Sequence, residues 1–381
     1  MARWSLTSQR RATETRFWAR PRQWCVRAEI GSQAHPHPRD ATTEAAMQLS
    51  EVTTLRIGGP CEDVVVADTQ ESLVSAVMTA DADDTALLVI SGGSNIVISD
   101  AGWEGRVVLV RSRGIRARGD EVEVAAGEPW APFAARMVAE GRSGVEALAG
   151  IPGAVGSTPV QNVGAYGQEV AQTIASVRVW DRADHAELRL SADECDFAYR
   201  DSLFKRELGR YVVLNVTFRL PATGLSAPIA YAELATKLGL GVGDVAPASV
   251  VASAVLDLRR GKGMVLDAED HDTWSAGSFF TNPILADVAA VPAGAPAFHT
   301  ADGRVKTSAA WLIDRAGFGK GFRVAPDAPA SLSTKHTLAL TNRGGATTED
   351  VLTLARAVRD GVSDRFGIEL RPEPVLVGCS L

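Results

Sequence analysis

Ala86-Leu-Leu-Val-Ile-Ser-Gly-Gly-Ser-Asn95 is the stretch on which the fold of this chain turns. A short apolar run, readable as a strand over Ala86–Ile90, ends in a Gly-Gly turn set between Ser91 and Ser94 and closed by Asn95. Glycines let the backbone come close to a ligand and adopt positive φ, so that consecutive N–H groups and Ser/Asn side chains can donate to anionic oxygens. Alone, a Gly-Gly turn after a strand is weak evidence and is often a plain loop. A second stretch, Gly150-Ile-Pro-Gly-Ala-Val-Gly156 through Ser157 to Pro159-Val-Gln-Asn-Val-Gly-Ala-Tyr-Gly167, adds five glycines and several amide or hydroxyl donors with almost no charge. That composition suits a pyrophosphate and a flat ring wrapped by backbone contacts. Neither loop is a GxGxxG opening a long helix, so a Rossmann NAD domain is not supported, and there is no GxxxxGK[ST] P-loop.

Outward from these loops the pattern mixes helices and strands. Val64–Val66 reads as a short buried strand and Glu71–Ala80 as a helix. Val107–Val110 and Glu121–Ala125 read as further strands, and Pro129–Glu140 as a helix. Ser176–Trp180, Leu188–Leu190 and Tyr211–Leu220 alternate like strands of an antiparallel or mixed sheet. Pro221–Pro228 is a linker by composition. Beyond it lie helices over Ser249–Arg259, Ala309–Ala316 and Thr348–Phe366, a strand at Thr337–Thr341, and Gly367 as a helix stop. A final strand, Ile368–Val377, is interrupted by two prolines. The reading divides the chain into a first domain over 47–225 with subdomains split near 110, a second over 226–367, and a returning C-terminal strand in 368–381. No internal repeat is present.

The bulk properties exclude several classes of function. A chain of 381 residues, 46% hydrophobic and 22% charged, can bury two or three cores and is not disordered throughout. No apolar run approaches the roughly 20 residues of a membrane helix, so no membrane insertion is expected. A net charge of −7 argues against nucleic acid as a partner. Cys25, Cys61, Cys195 and Cys379 are far apart, with no CxxC and no Cys/His cluster, so neither a disulfide framework nor a metal site is expected, and a reducing cytoplasmic setting fits best. Residues 1–45 carry eight Arg and no Lys against four acidic residues, a sum of +4 that leaves −11 for the remainder. This basic stretch has no followable period, and no apolar segment follows Arg10-Arg11 as a twin-arginine signal would require. Residues 1–46 therefore read as a disordered extension outside the folded enzyme, either a basic arm or sequence upstream of Met47.

Eight segments in order resemble one known family across residues 53–381. They are Thr54-Leu-Arg-Ile-Gly-Gly59, Ser91-Gly-Gly-Ser-Asn95, Gly150-Ile-Pro-Gly-Ala-Val-Gly156, Gln161-Asn-Val-Gly-Ala-Tyr-Gly167, Tyr199-Arg-Asp-Ser-Leu-Phe-Lys205, Gly277-Ser-Phe-Phe-Thr-Asn-Pro283, Ala309-Ala-Trp-Leu-Ile-Asp314 and Arg371-Pro-Glu-Pro374. The chain resembles the UDP-N-acetylenolpyruvoylglucosamine reductases. The resemblance implies an α+β fold: an FAD-binding domain of the vanillyl-alcohol-oxidase (PCMH) type in two subdomains, plus an α/β substrate-binding domain. It implies non-covalent FAD, NADPH as hydride donor, and a UDP-sugar substrate that enters after NADPH leaves. The implied cofactor contacts are Ser91, Gly92, Gly93, Ser94, Asn95, Gly150, Ile151, Pro152, Gly153, Gly156, Ser157, Gln161, Asn162, Gly164, Ala165 and Tyr166. A monomer acting in the cytoplasm on a peptidoglycan precursor is the expectation.

The implied reaction reduces a carbon–carbon double bond conjugated to a carboxylate, so it needs a cation and a hydrogen-bonding acid at that carboxylate and a proton donor nearby. Arg200 is the candidate cation, although read locally it could pair with Asp201 in a surface turn. Glu373, between Pro372 and Pro374, is the candidate acid; desolvation there would raise its pKa, whereas an edge strand would leave it facing water. Ser278 is the proton donor by resemblance alone, since an isolated Ser after Gly is otherwise a turn residue. The resemblance also points to Tyr199, Tyr231, Lys262 and Asn282 as substrate contacts, with Lys262 in the local cationic run Arg259-Arg-Gly-Lys262. Thr281 and Arg371 depart from residues common in the family, a Lys and an acid. The alternative is another FAD-dependent oxidase of alcohols or hydroxy acids on the same fold, in which flavin is often attached through a His; neither glycine-rich loop contains one.

Overall fold

The computed structural model describes residues 46–300 and 302–381. The expectation for residues 1–45 lies outside the described residues.

The first domain has two layers of unlike construction. β1 (Asp63–Ala67), α1 (Gln70–Ala82), β2 (Leu87–Ile90) and β4 (Arg106–Val110) form a three-stranded parallel sheet with β4 in the centre, Val107 opposite both Val64 and Leu88. The crossover helix starts where Thr69 and Ser72 exchange side-chain and backbone hydrogen bonds in a capping box. Its Leu73, Ala76, Val77 and Ala80, at spacings of three and four, form the buried stripe. β3 (Ile96–Ile98) leaves this sheet and pairs elsewhere.

After Val110 the chain builds a five-stranded antiparallel sheet. β5 (Ile115–Arg118), β6 (Glu121–Ala125), β7 (Ile174–Asp181), β8 (Ala186–Ser191) and β9 (Tyr211–Arg219) are ordered β8-β7-β9-β6-β5. α2 (Trp130–Ala139) covers one face, and Trp130 and Phe133 pack on Phe218 with ring centroids 5.9 and 5.4 Å away. The first glycine-rich loop follows β2, the second comes after α2, and the two meet at Gly92 and Gly153.

Packing does not break at residue 225. α3 (Ala232–Leu238) and α4 (Ala248–Gly261) share a buried cluster with Ala147 and Ala149 of the first domain, built on Ile229, Leu234, Val251 and Val255. The linker itself is pinned, because the Ala227 N–H donates to buried Glu146 at 2.6 Å. The separate second core belongs to residues further on: α5 (Ala309–Arg315), α6 (Thr348–Phe366), the paired segments Ala330–Leu332 and Leu340–Asn342, and Phe279 with Phe280. The strand expected at Thr337–Thr341 is thus shifted to Leu340–Asn342. Gly367 ends α6 at φ 66, the left-handed cap that glycine adopts without strain.

The expected strand Ile368–Val377 is reduced to β10 (Val375–Val377), which pairs in parallel with β3. Pro372 and Pro374 lack the N–H a ladder needs, so upstream only an isolated bridge, Phe280 to Pro372, remains. Leu55 and Ile57, close to the start of the described chain, are buried inside the second core. Asn342 fixes them there by donating to the carbonyls of Leu55 and Arg56, each at 3.2 Å. Among the described residues no helix is long and apolar enough to cross a membrane.

Candidate functional site

Ser91–Asn95 runs directly against Gly150–Ala154, and this explains the glycines better than access for a ligand does. A Cβ on Gly92 would collide with the backbone of Gly153, one on Gly93 with the Val52 carbonyl, and one on Gly156 with Ala126. Gly93, Gly150 and Gly153 also hold φ of 58°, 72° and 111°. The Ser94 hydroxyl donates to the Pro152 carbonyl at 3.3 Å, the Asn95 amide donates to Gln161 Oε1 at 2.8 Å, and the Ser157 hydroxyl is spent on Ala154 O at 2.7 Å. The backbone N–H groups of Gly92, Gly93, Ser94, Gly153 and Ala154 donate to no group among the described residues. Half-buried orphan donors in two adjoining loops are what an anionic ligand needs.

From Gln161 the network passes into the candidate catalytic group. Gln161 Nε2 lies 3.4 Å from Glu373 Oε1, and Arg200 Nε lies 3.1 Å from the same oxygen. That separation is a close polar contact without hydrogen-bond alignment, for buried Nε has no hydrogen-bond partner. The other guanidinium nitrogens donate to the carbonyls of Asn162 and Gly164, at 3.3 and 2.7 Å. Arg200 does not pair with Asp201, which is held by Arg206 instead. Burial pushes the Glu373 carboxyl up, opposed by the charges of Arg200 and Lys205. Lys205 donates to the Arg200 carbonyl at 2.9 Å and so fixes the turn. Arg200, Asn162 and Tyr166 all sit at φ near +50°, at 53°, 48° and 49°. Non-glycine residues held left-handed cost about 1 kcal/mol or more each, and two of them, Arg200 and Asn162, are in contact here.

The second domain brings Ser278 to this place through its backbone. Phe279 and Phe280, each 1% exposed, anchor the Gly277–Pro283 segment, and the Glu373 N–H donates to the Phe279 carbonyl at 2.8 Å. Half-buried Ser278 therefore precedes by one residue the group that fixes Glu373, and its hydroxyl hydrogen-bonds to no described residue. The two departures from the family pattern meet here, Thr281 N–H donating to the Arg371 carbonyl at 3.1 Å. Asn282 Oδ1 accepts from the Ala309 N–H at 2.9 Å, at the start of α5, and the Tyr199 phenol lies against Asn282.

Tyr166, Tyr231 and Lys262 form a separate cluster. Tyr166 and Tyr231 stack edge to face at 5.6 Å, and Lys262 Nζ is 5.4 Å from the Tyr166 centroid. The cationic run around Lys262 does not form one patch. Lys262 pairs with Glu233 at 2.5 Å, Arg260 faces Asp257 at 3.6 Å, and Arg259 turns inward to donate to the Met264 carbonyl at 2.6 Å. Successive residues at a helix end point in directions about 100° apart, which sequence adjacency hides. Asn162 is likewise a scaffold residue: 1% exposed, its amide donates to Glu169 at 2.8 Å and Ala198 O at 3.0 Å and accepts from Ala171 N–H at 3.1 Å.

His336 faces the Lys262 cluster, and its imidazole is pushed down to about 4, first by burial and then by Lys262 and Lys320, with Glu233 opposing. The unfolded chain takes up this proton near pH 6.5, before the folded one does. Stability carried by neutral His336 is thus complete above about pH 6.5 and is lost as pH falls towards 4, by about 3 kcal/mol at most. Urea midpoints between pH 7 and 4.5 should fall less steeply in His336→Asn than in the parent; equal slopes would remove His336 as the cause.

Sequence reading missed Arg259, Glu146 and Lys306. Arg259 lies behind Gly150, with its Nε buried and unpartnered and its pKa lowered to about 10 by burial. Its position inside a basic run disguised it. Glu146 is fully buried, and Lys306 stands between β-branched Val305 and Thr307 in a way that reads as an outward strand residue.

Comparisons with known proteins match this geometry. The family model for the C-terminal domain of UDP-N-acetylenolpyruvoylglucosamine reductase matches residues 269–377, and that for an FAD binding domain matches residues 62–191. UDP-N-acetylenolpyruvoylglucosamine reductase of Cutibacterium acnes is 54% identical over 338 residues, 87% of this chain and 90% of that protein. The Streptomyces coelicolor protein of the same name is 54% identical over 346 residues, with the same shares covered. The crystal structure of UDP-N-acetylenolpyruvylglucosamine reductase from Thermus caldophilus superposes with a TM-score of 0.61 at 25% identity, covering 87% of this chain and 98% of that one.

Proposed function

The chain belongs to the UDP-N-acetylenolpyruvoylglucosamine reductase family, and we propose that Arg200, Glu373 and Ser278 carry its chemistry. Its fold is α+β, with an FAD-binding domain of the vanillyl-alcohol-oxidase type. It is an FAD-dependent oxidoreductase that uses NADPH to reduce the enolpyruvyl group of UDP-N-acetylenolpyruvoylglucosamine to UDP-N-acetylmuramate, in peptidoglycan precursor synthesis.

FAD fits the residues present: the orphan N–H groups of Gly92, Gly93, Ser94, Gly153 and Ala154 would hold its pyrophosphate, with the buried charge of Arg259 behind the second loop. When bound, it supplies the relay that takes hydride from NADPH and delivers it to the terminal vinyl carbon. The other residues manage charge and the proton. Arg200 meets the substrate carboxylate and stabilises the negative charge that spreads into it. Glu373, its carboxyl pushed up by burial, remains protonated and donates a hydrogen bond to the same group. The Ser278 hydroxyl gives its proton to the carbon adjacent to the carboxylate, completing a two-electron, two-hydrogen reduction. Tyr231 and Lys262 receive the phosphates, first of NADPH and then of the UDP-sugar, and Lys262 exchanges Glu233 for phosphate as each enters. The observation that carries this reading is Arg200 and Glu373 in contact, tied through Gln161 to Asn95 of the first glycine loop.

Three unpaired cysteines among the described residues, with NADPH as reductant, favour the cytoplasm, and we take the monomer as the working form; sedimentation at micromolar concentration tests the latter. The activity itself is tested by colour. Purified protein should be yellow, bleach anaerobically with NADPH, and regain colour on addition of UDP-N-acetylenolpyruvoylglucosamine. A colourless protein would refute the reading, and bleaching without substrate-driven recovery would favour the oxidase.

A further inference from the structure

Lys306 is a cation without a counter-ion at the edge of this site. It sits on the short strand Val305–Thr307, between Val305 and Thr307, which are 1% and 0% exposed, so its side chain takes the opposite face of that strand. The ammonium lies 4.3 Å from the centroid of the Tyr199 ring, next to Arg200, whose Cζ lies 5.6 Å from the same centroid. No carboxylate among the described residues pairs with it, and the nearest opposing charge, Glu169, is already bound to Asn162. Burial and the Arg200 charge both lower its pKa. Arg200, by contrast, already touches the Glu373 carboxyl and donates to two backbone carbonyls.

The second domain thus presents an uncompensated positive charge towards the turn that carries Arg200. A ring face can hold an ammonium in place, contributing about 0.5–2 kcal/mol, without neutralising it. A partly buried charge without a counter-ion is costly unless an anion arrives. We propose that Lys306 is a second cation at the substrate carboxylate, meeting from the second domain the oxyanion that Arg200 meets from the first. The inference rests on the reading that the Arg200 turn receives that carboxylate. Two cations carried by separate segments, both beside the Tyr199 ring, also give the carboxylate a fixed orientation, which one guanidinium already engaged with Glu373 does not.

Anaerobic half-reactions on the FAD-loaded enzyme test this. In Lys306→Met, flavin reduction by NADPH should stay within about twofold, while reoxidation by subsaturating substrate should fall on the order of 10²-fold, the scale of losing a desolvated charge contact. Lys306→Arg should recover most of that loss. Binding of UDP, which has phosphates but no carboxylate, should be unchanged in Lys306→Met. Weaker UDP binding would overturn the assignment in favour of a phosphate contact, and unchanged reoxidation would overturn it outright. Arg200→Met run in parallel separates the two ideas. Loss of reoxidation in Arg200→Met alone refutes only the role of Lys306; no loss in either variant refutes the underlying site.

Discussion

Ser278→Ala should leave the reduction of bound flavin by NADPH within about twofold of the parent and slow reoxidation by the enolpyruvyl substrate by about 10²–10⁴-fold, the usual contribution of a positioned proton donor. The split follows from where the residue sits. Its backbone is fixed by buried Phe279 and Phe280 and by the bond from the Glu373 N–H to Phe279 O, not by its own hydroxyl, which bonds to no described residue. Removing Oγ therefore disturbs neither the anchor nor the glycine loops. Hydride arrival from NADPH requires no proton at the substrate carbon, so only the second half-reaction depends on the hydroxyl. Stopped-flow absorbance under anaerobic conditions measures both halves in one preparation. Equal slowing of both would mean a flavin-binding or folding defect and would remove Ser278 from the chemistry.

Glu146→Leu should produce the largest loss of stability. The carboxylate is fully buried and accepts three donors: Gly144 N–H at 2.6 Å, Gln168 Nε2 at 2.7 Å and Ala227 N–H at 2.6 Å. Leucine fills similar space but strands all three. At about 1–3 kcal/mol for each buried group left unsatisfied, the total is at least about 3 kcal/mol, against an entire folding free energy of about 5–15 kcal/mol. The damage is local first, because these donors join the approach to Gly150, the end of the second loop at Gln168, and the linker to α3. Flavin should dissociate at lower urea than the main unfolding transition. Glu146→Gln, which keeps one acceptor but sets an NH₂ donor against the Gly144 or Ala227 N–H, should fall between parent and Leu. A Leu variant with the parent urea midpoint would show that water, not Glu146, satisfies these groups.

Elements whose pattern is local were readable in the sequence: the capped helix Gln70–Ala82, the alternation of Tyr211–Arg219, and the glycine stop at Gly367. The glycine loops were legible as loops, but the reason for their glycines was not, since it depends on distant chain lying against them: Gly153 on Gly92, Val52 on Gly93 and Ala126 on Gly156. The Arg259–Lys262 run misled because helical geometry scatters neighbours, sending one side chain inward and another to Glu233. Glu146 and Lys306 could not be found from pattern, for their meaning comes from partners, or from the lack of one, supplied by distant chain. Glu373 was readable as a candidate for desolvation from its apolar surroundings, while its prolines argued for an edge facing water; the structure leaves that segment only the bridge at Pro372 and buries the carboxyl.

The crossing of the two cores has a consequence for synthesis of the protein. Leu55 and Ile57 enter the core formed by Leu354 and Val358, while Val375–Val377 returns to Ile96–Ile98. The main cluster of the first domain, Ala67 to Leu220, can close on its own residues, but the second core and the pairing of Ile96–Ile98 wait until residues 354–377 have emerged. The early segments must wait through some three hundred residues of elongation, with their apolar side chains exposed to chaperones and to one another. Contacts of such long sequence separation also make productive folding slow. The late C-terminal strand is therefore a checkpoint: prematurely terminated products lack it, leave Ile96–Ile98 unpaired, and present that open edge to proteolysis.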